Sequence, residues 1–356
     1  MRLLFGLLSF VFISSCGSFI GKKSKSNKSN SLEFKSFIEY CSDESADSNL
    51  KNTIKVLSEY VQAGTDCELA FDRIKNETSL TFIAESLTDL RPFASFASLT
   101  SLNLINNSIS DLSPLSKLEN LTRLQLDKNK IVDISILNEL TKLESLSLSE
   151  NEIKKLPSLE NLSSLKDLNI AQNKLETLGD LDQLDKLDKL DLSSNLLKSV
   201  EGLDGLSSLK TLNLSKTWLK DYQAITDLPQ LEVLDISNGH IISLEFISQL
   251  TSLRVLKAAN NHISDLSPLS ELKELRECYL NYNYIKDLAP LSSLDFLLTL
   301  NLRSNSIVSA NPLAALANLT DLNLDHNPLG TTQVKDESNC LISDDSAAVY
   351  RSFCLN

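Results

Sequence analysis

Apolar residues recur along this chain with a period of 22 residues. Leu99 to Asn120 reads LTSLNLINNSISDLSPLSKLEN, and the pattern restarts at Leu121 and at every twenty-second residue through Leu319. Positions 1, 4, 6, 9, 11, 14, 17 and 20 keep their character while the others vary. A fixed period of this size marks a solenoid, in which each unit is one small supersecondary element. Leu102 and Leu104 alternate with Ser101, Asn103 and Ile105, the period-two pattern of a short strand with one buried face. Ile109 follows, then Leu112, Leu115 and Leu118 at spacing three, which predicts 3₁₀ or short helical turns on the return leg. One unit cannot bury its own leucines. Stacked units can, and their strands then form a continuous parallel sheet.

Position 9 is asparagine at Asn107, Asn129, Asn151, Asn173, Asn195, Asn261, Asn283, Asn305 and Asn327. A buried turn leaves backbone N–H and C=O groups in need of partners. A carboxamide offers two donors and an acceptor, so stacked asparagines can serve the turns above and below them. Leaving such a group unpaired costs about 1–3 kcal/mol, which explains a fixed register against the leucines.

The resulting pattern, LxxLxLxxNxIxxLxxLxxLxx, resembles the leucine-rich repeat in its short 22-residue class. The DLSPL runs at Asp111–Leu115 and Asp265–Leu269 resemble the bacterial internalin-like branch and are also similar to a eukaryotic phosphatase-regulator branch. The resemblance spans about residues 77 to 330. It implies an α/β repeat solenoid: a curved horseshoe with a parallel concave sheet, short 3₁₀ or helical convex turns, a helical N-terminal cap and a small C-terminal cap. It implies little about function, because one scaffold serves unrelated partners.

The flanks depart from the 22-residue rule. Residues 1–15, MRLLFGLLSFVFISS, place one Arg before an apolar core, the pattern of a secretory signal too short to span a bilayer. Ile13, Ser14 and Ser15 run directly into Cys16. This resembles a bacterial lipoprotein box, which implies lipidation of Cys16 and a new N-terminus there; the alternative is a plain signal cut nearby with Cys16 incidental. Residues 16–32 are a tether rich in Ser, Lys and Asn with almost nothing to bury. Gly17 and Ser18, rather than Asp, follow the cysteine, and resemblance to lipoproteins of two-membrane bacteria then implies sorting to the outer membrane. The expected location is therefore the bacterial cell envelope, with lipid holding the body at a membrane.

Residues 33–76 read as a helical cap. Phe34, Phe37, Ile38 and Cys41 share one helical face, as do Ile54, Leu57, Tyr60 and Val61. Gly64 reads as a stop, and Thr65 to Glu68 has capping-box spacing for a helix with Leu69, Ala70 and Ile74. Twelve repeats then occupy 77–330, the first degenerate, with Glu85 where asparagine belongs. Residues 331–356 read as the closing cap, with Ser343 opening a helix through Phe353.

Composition and charge alter this picture little. A net charge of −13 argues against non-specific nucleic-acid binding. Export permits disulfides, and Cys41 with Cys67 and Cys340 with Cys354 are local pairs within the two caps. Cys278 replaces a core leucine at position 4 and reads as a buried, inert thiol.

The strand positions 3, 5 and 7 define the concave face, with 8 and 10 on its rim. Charges of both signs are interspersed there, as on any solvated surface. One stretch stands apart. Position 10 reads Leu196, Trp218, His240, His262 and Tyr284 through five successive units, with Tyr279 and Tyr282 beside them. The two units that replace the asparagine, at Thr217 and Gly239, fall inside it. Aromatic residues concentrated on a surface mark binding hot spots; the competing reading is that Trp218 and Leu196 fill the gap left by the weakened ladder. His240 and His262 alone do not close a tetrahedral metal site, so no metal or cofactor is assigned. No nucleophile stands in register with these histidines and no phosphate loop is present, so no catalytic residue is assigned either. The reading is a non-enzymatic, lipid-anchored protein that binds a macromolecule, by expectation a protein, on its concave face. An envelope structural role without a dedicated partner and glycan or peptidoglycan binding are its alternatives, and the oligomeric state is not legible.

Overall fold

The computed structural model describes residues 33–329. Twelve three-residue strands, from β1 (Ser79–Thr81) to β12 (Asp321–Asn323), form one open parallel sheet in strict chain order. Register is set by the repeat itself: Leu80 pairs with Leu102, and Leu102 with Leu124. From β1 to the strand before β12 the middle residue, a leucine except at Cys278, points into the core while its neighbours face outward. The leucine columns are almost wholly buried along the length of the array. Each fully buried leucine contributes about 1.5–3 kcal/mol.

The asparagines bridge successive rungs. In Asn151, Nδ2 donates to the Leu126 carbonyl of the preceding rung at 2.9 Å and to Leu148 in its own at 3.0 Å. Its Oδ1 accepts from the Ile131 amide at 3.0 Å. A second ladder runs alongside, in which the amide at position 10 donates to the carbonyl at position 11 of the rung before, as in Leu196 to Leu175 at 2.9 Å. Position 8 sits in the left-handed region in every rung, for instance Lys128 (φ 58°), Gln172 (φ 54°) and Tyr282 (φ 58°).

The return legs split into two kinds, where the leucine spacing alone predicts one. Eight repeats carry a 3₁₀ helix there. The repeats beginning at Leu143, Leu165 and Leu187 do not; they run through turns, and isolated parallel bridges join Lys155 to Thr177 and Ser199 to Asp221. The residue at position 13 accounts for most of this. Asp111, Asp133, Asp221, Asp265 and Asp287 each accept a hydrogen bond from the amide two residues on, which opens the 3₁₀ turn. Lys155 and Thr177 stand there in two of the three exceptions.

Three helices precede the sheet: α1 (Phe37–Cys41), α2 (Ser48–Tyr60) and α3 (Cys67–Ile74). The capping box belongs to α1, formed by Ser36 and Glu39. The Thr65–Glu68 spacing is not used. Asp66 caps α3 instead, its carboxylate accepting from the Leu69 amide at 2.9 Å, because a charged acceptor one residue closer to the helix makes the bond first. The buried face of α2 is also shifted: Leu50, Thr53, Leu57 and Ser58 are buried, whereas Tyr60 is half exposed and meets only the edge of Phe82. Thr53 is tolerated inside because its hydroxyl donates to the Asp89 carbonyl at 2.7 Å. Phe37 packs on Phe71 and Phe96, and Phe96 on Phe93, so aromatic rings seal the helices to the first repeat.

A disulfide joins Cys41, the last residue of α1, to Cys67, the first of α3. Cys278 is a free, fully buried thiol. Cys16, Cys340, Cys354 and the segments 1–15, 16–32 and 331–356 lie outside the described residues. Among those described, no helix is long and apolar enough to cross a membrane.

Candidate partner-binding surface

Position 10 of successive repeats forms one edge of the sheet. It begins with Ser86 and Ser108 and is then charged through Lys130, Glu152 and Lys174, of which Lys174 and Glu152 pair at 3.0 Å. From Leu196 onward the edge becomes apolar and aromatic. Trp218 stands edge-on to His240, with ring centres 5.4 Å apart. His240 meets His262 at 5.3 Å, and His262 stacks on Tyr284 at 5.7 Å. Four rings from four rungs thus touch in sequence. Between the histidines, Nδ1 of His240 and Nε2 of His262 are 3.2 Å apart.

The row faces water. Trp218 is 72 % exposed, Leu196 58 % and Tyr284 57 %. Trp218 and Leu196 therefore do not fill the gap beneath the missing asparagines. Thr217 takes that space, 1 % exposed, with its hydroxyl donating to the Leu214 carbonyl. The consequence is a local break in both ladders. Among the described residues, position-10 amides bond to the preceding rung on either side of this stretch but not at Trp218 or His240.

Gly239 shapes the next rung. Its amide and that of Ile241 both donate to Oδ1 of Asn261 at 2.9 Å. The chain between them then turns through His240 in the left-handed region (φ 58°). The degenerate first repeat does the same: Glu85 and Leu87 both donate to Asn107, and Ser86 between them has φ 57°. In these two rungs, each followed by one that keeps its asparagine, two amides share that carboxamide and the residue between them swings over; Trp218, with Gly239 rather than asparagine in the next rung, does not. Histidine tolerates this region better than most side chains.

Tyr279 and Tyr282 are near the row without joining its ring contacts. Tyr279 lies on the sheet face, its hydroxyl donating to Glu277 at 2.9 Å. Desolvation, then the bond to Glu277, raises its phenol above the ordinary value. Tyr282 projects from the left-handed turn and is half exposed.

Two features of this edge escaped the sequence. An apolar slot of about 620 Å³ opens between Leu196 and Trp218, ringed by Lys198, Lys216 and Lys220. None of these lysines is in an ion pair. On the return leg, Tyr222 and Phe246 stack at 4.5 Å and line a groove that also reaches His240 and Ile242. Burial pushes the Tyr222 phenol up to about 12. Tyr222 occupies a leucine position, so spacing alone reads it as core. The described residues contain no group of three side chains suited to holding a metal ion.

The chain belongs to the leucine-rich-repeat family: the family's two-copy repeat profile matches residues 82–140, 141–183, 207–249 and 251–293, more than half of the chain. Among solved structures it is similar to an internalin (inlF) from Listeria monocytogenes, at 29 % identity, covering 78 % of this chain and 82 % of that one, with a TM-score of 0.70. It is also similar to a leucine-rich-repeat protein of Leptospira interrogans, at 27 % identity over 67 % and 69 % of the two chains, with a TM-score of 0.64. A chain of the LRIM1/APL1C complex shares the fold at 20 % identity, over 72 % of this chain and 49 % of that one, with a TM-score of 0.59. Comparison with curated protein sequences finds no match. Within that family the chain is similar to bacterial proteins of the internalin-like kind. Proteins of this fold are in general binding scaffolds rather than enzymes, and protein partners are common among them.

Proposed function

We propose that this chain is a lipid-anchored envelope protein that binds a protein partner on its concave face, with Trp218 as the principal anchor. One observation carries the reading: the stretch that breaks both backbone ladders also exposes the chain's single tryptophan in a continuous row with His240, His262 and Tyr284. Exposed aromatic side chains supply large contact area at small ordering cost, and hot spots are enriched in them. The slot beside Trp218 suits an apolar side chain, and its unpaired lysines suit a partner segment with carboxylates at the rim. The rigid sheet presents these groups already ordered, so a few anchors suffice for affinity. The structure of a complex between LRIM1 and APL1C, proteins of this fold, lends general support.

The test is a pull-down from envelope extract with the full chain, wild type against Trp218→Ala with Tyr282→Ala. Loss of a discrete protein partner in the variant supports the reading; identical profiles defeat it, and retention on a glycan array with no protein captured favours sugar binding. Anchoring is tested separately by Cys16→Ser in cells fed labelled palmitate. The label is expected on the wild type alone, and label on the variant refutes lipidation at that residue.

A further inference from the structure

We propose that His240 and His262 form an open, two-imidazole site for a divalent transition metal ion. The geometry between neighbouring rungs defines this site whether or not a protein partner binds beside it. The facing nitrogens, Nδ1 of His240 and Nε2 of His262, stand 3.2 Å apart. Two imidazoles on one ion with bonds of 2.0–2.1 Å have their donor nitrogens about 2.9 Å apart at the right angle of a tetragonal copper site and about 3.3 Å apart in a tetrahedral one. The pair is therefore already near bite distance; to bind, the ring that now donates moves its proton to its other nitrogen, so that both neutral imidazoles turn a lone pair toward an ion seated beside the N–N line.

The backbone holds this arrangement. His262 sits on a regular rung, its amide bonded to the Ile241 carbonyl at 2.7 Å. His240 is held in the left-handed region between two amides that share the oxygen of Asn261. Trp218 stands on the outer side of His240 and Tyr284 on that of His262. Both imidazoles are thus confined between neighbouring rings, which lowers the ordering cost of chelation. No third histidine, cysteine or carboxylate completes the set among the described residues. The site is accordingly not a structural one, and water fills the remaining positions on the exposed side. Imidazole donors select copper, nickel or zinc over magnesium or calcium, with copper(II) the strongest binder.

Trp218 supplies the readout, as the only tryptophan of the chain and with its ring centre 5.4 Å from His240. Copper(II) is titrated into the full chain, purified without a histidine tag, while tryptophan emission is followed. The expected result is saturable quenching at one equivalent. His240→Asn, which keeps a residue suited to the left-handed region, and His262→Gln each raise the half-quenching concentration by about tenfold or more. His326→Gln, at the remaining histidine, leaves it unchanged. Equilibrium dialysis counts the bound copper directly, and circular dichroism checks that the variants fold. Absence of saturable binding in the wild type overturns the proposal, as does undiminished binding in the double variant.

Discussion

The amide of Gly239 donates to Oδ1 of Asn261 at 2.9 Å, and the same oxygen also accepts from Ile241. In a regular rung that oxygen serves one amide only, as Asn195 serves Leu175 at 3.0 Å. Asn261 therefore holds two rungs in place, its own and one that has lost its asparagine. It also fixes the turn through His240, since the chain must pass between two amides pinned to one atom.

Asn261→Ala should for this reason cost more than Asn195→Ala. Both substitutions strand buried carbonyls; the first strands two amides and the second one. Each orphaned group costs about 1–3 kcal/mol, so the expected excess is at least about 1 kcal/mol. Urea midpoints of the two variants give the comparison, and hydrogen exchange should show the Gly239 amide opening in Asn261→Ala alone. Equal midpoints contradict the double role.

Trp218→Ala should behave in the opposite way. The side chain is the largest in its rung yet is 72 % exposed, so it removes little surface from water. A surface change of this kind shifts stability by less than about 0.5 kcal/mol, while partner capture is lost. A melting curve of Trp218→Ala shifted by more than that shows the indole packed as part of the fold and removes it as an anchor.

The repeat and its strands were legible because stacking forces leucine and asparagine into fixed slots, and no other spacing buries them. The left-handed turn at position 8 was not, because Lys128, Glu150, Gln172 and Tyr282 occupy it without a glycine among them. There the stacked rungs impose the conformation against local preference. The difference between return legs was written at position 13, in Asp111 against Lys155, but a carboxylate that opens a turn is hidden among many exposed ones. The register of Trp218, His240, His262 and Tyr284 followed from the period. Whether Trp218 points out or in did not, since that depends on Thr217 filling the space below it.

Cys278 makes stability depend on alkaline pH. Burial pushes its thiol from 9.0 up to about 12, so the folded chain keeps a proton that the unfolded chain releases. Its contribution is complete below 9.0 and declines as pH rises from there toward about 12. Cys278→Leu, which restores the residue used at this position elsewhere in the array, should flatten that part of the profile. Chemical unfolding at pH 8 and pH 10 measures the difference; parallel profiles for the two proteins refute the assignment. In the native state the thiol should also resist modification, because a reactive cysteine needs exposure as a thiolate.

Thr217→Asn tests the broken ladder from the other side. Thr217 satisfies only its own turn, through the Leu214 carbonyl. The Leu197 amide, which a regular array bonds to the next carboxamide, finds no such acceptor among the described residues, although Leu197 is 1 % exposed. An asparagine at 217 would accept from Leu197 and donate to Leu192 and Leu214, as Asn195 does to Ile170 and Leu192. Such a gain is worth about 1 kcal/mol and should appear as a higher urea midpoint with an unchanged slope. The same change would return the Trp218 amide to the Leu197 carbonyl and draw the turn into its regular form. The Trp218 emission should then shift and partner capture weaken while the fold gains stability, the exchange expected where a weakened rung is kept for binding. A Thr217→Asn chain no more stable than wild type would mean that the packing of Thr217, and not the missing carboxamide, governs this rung.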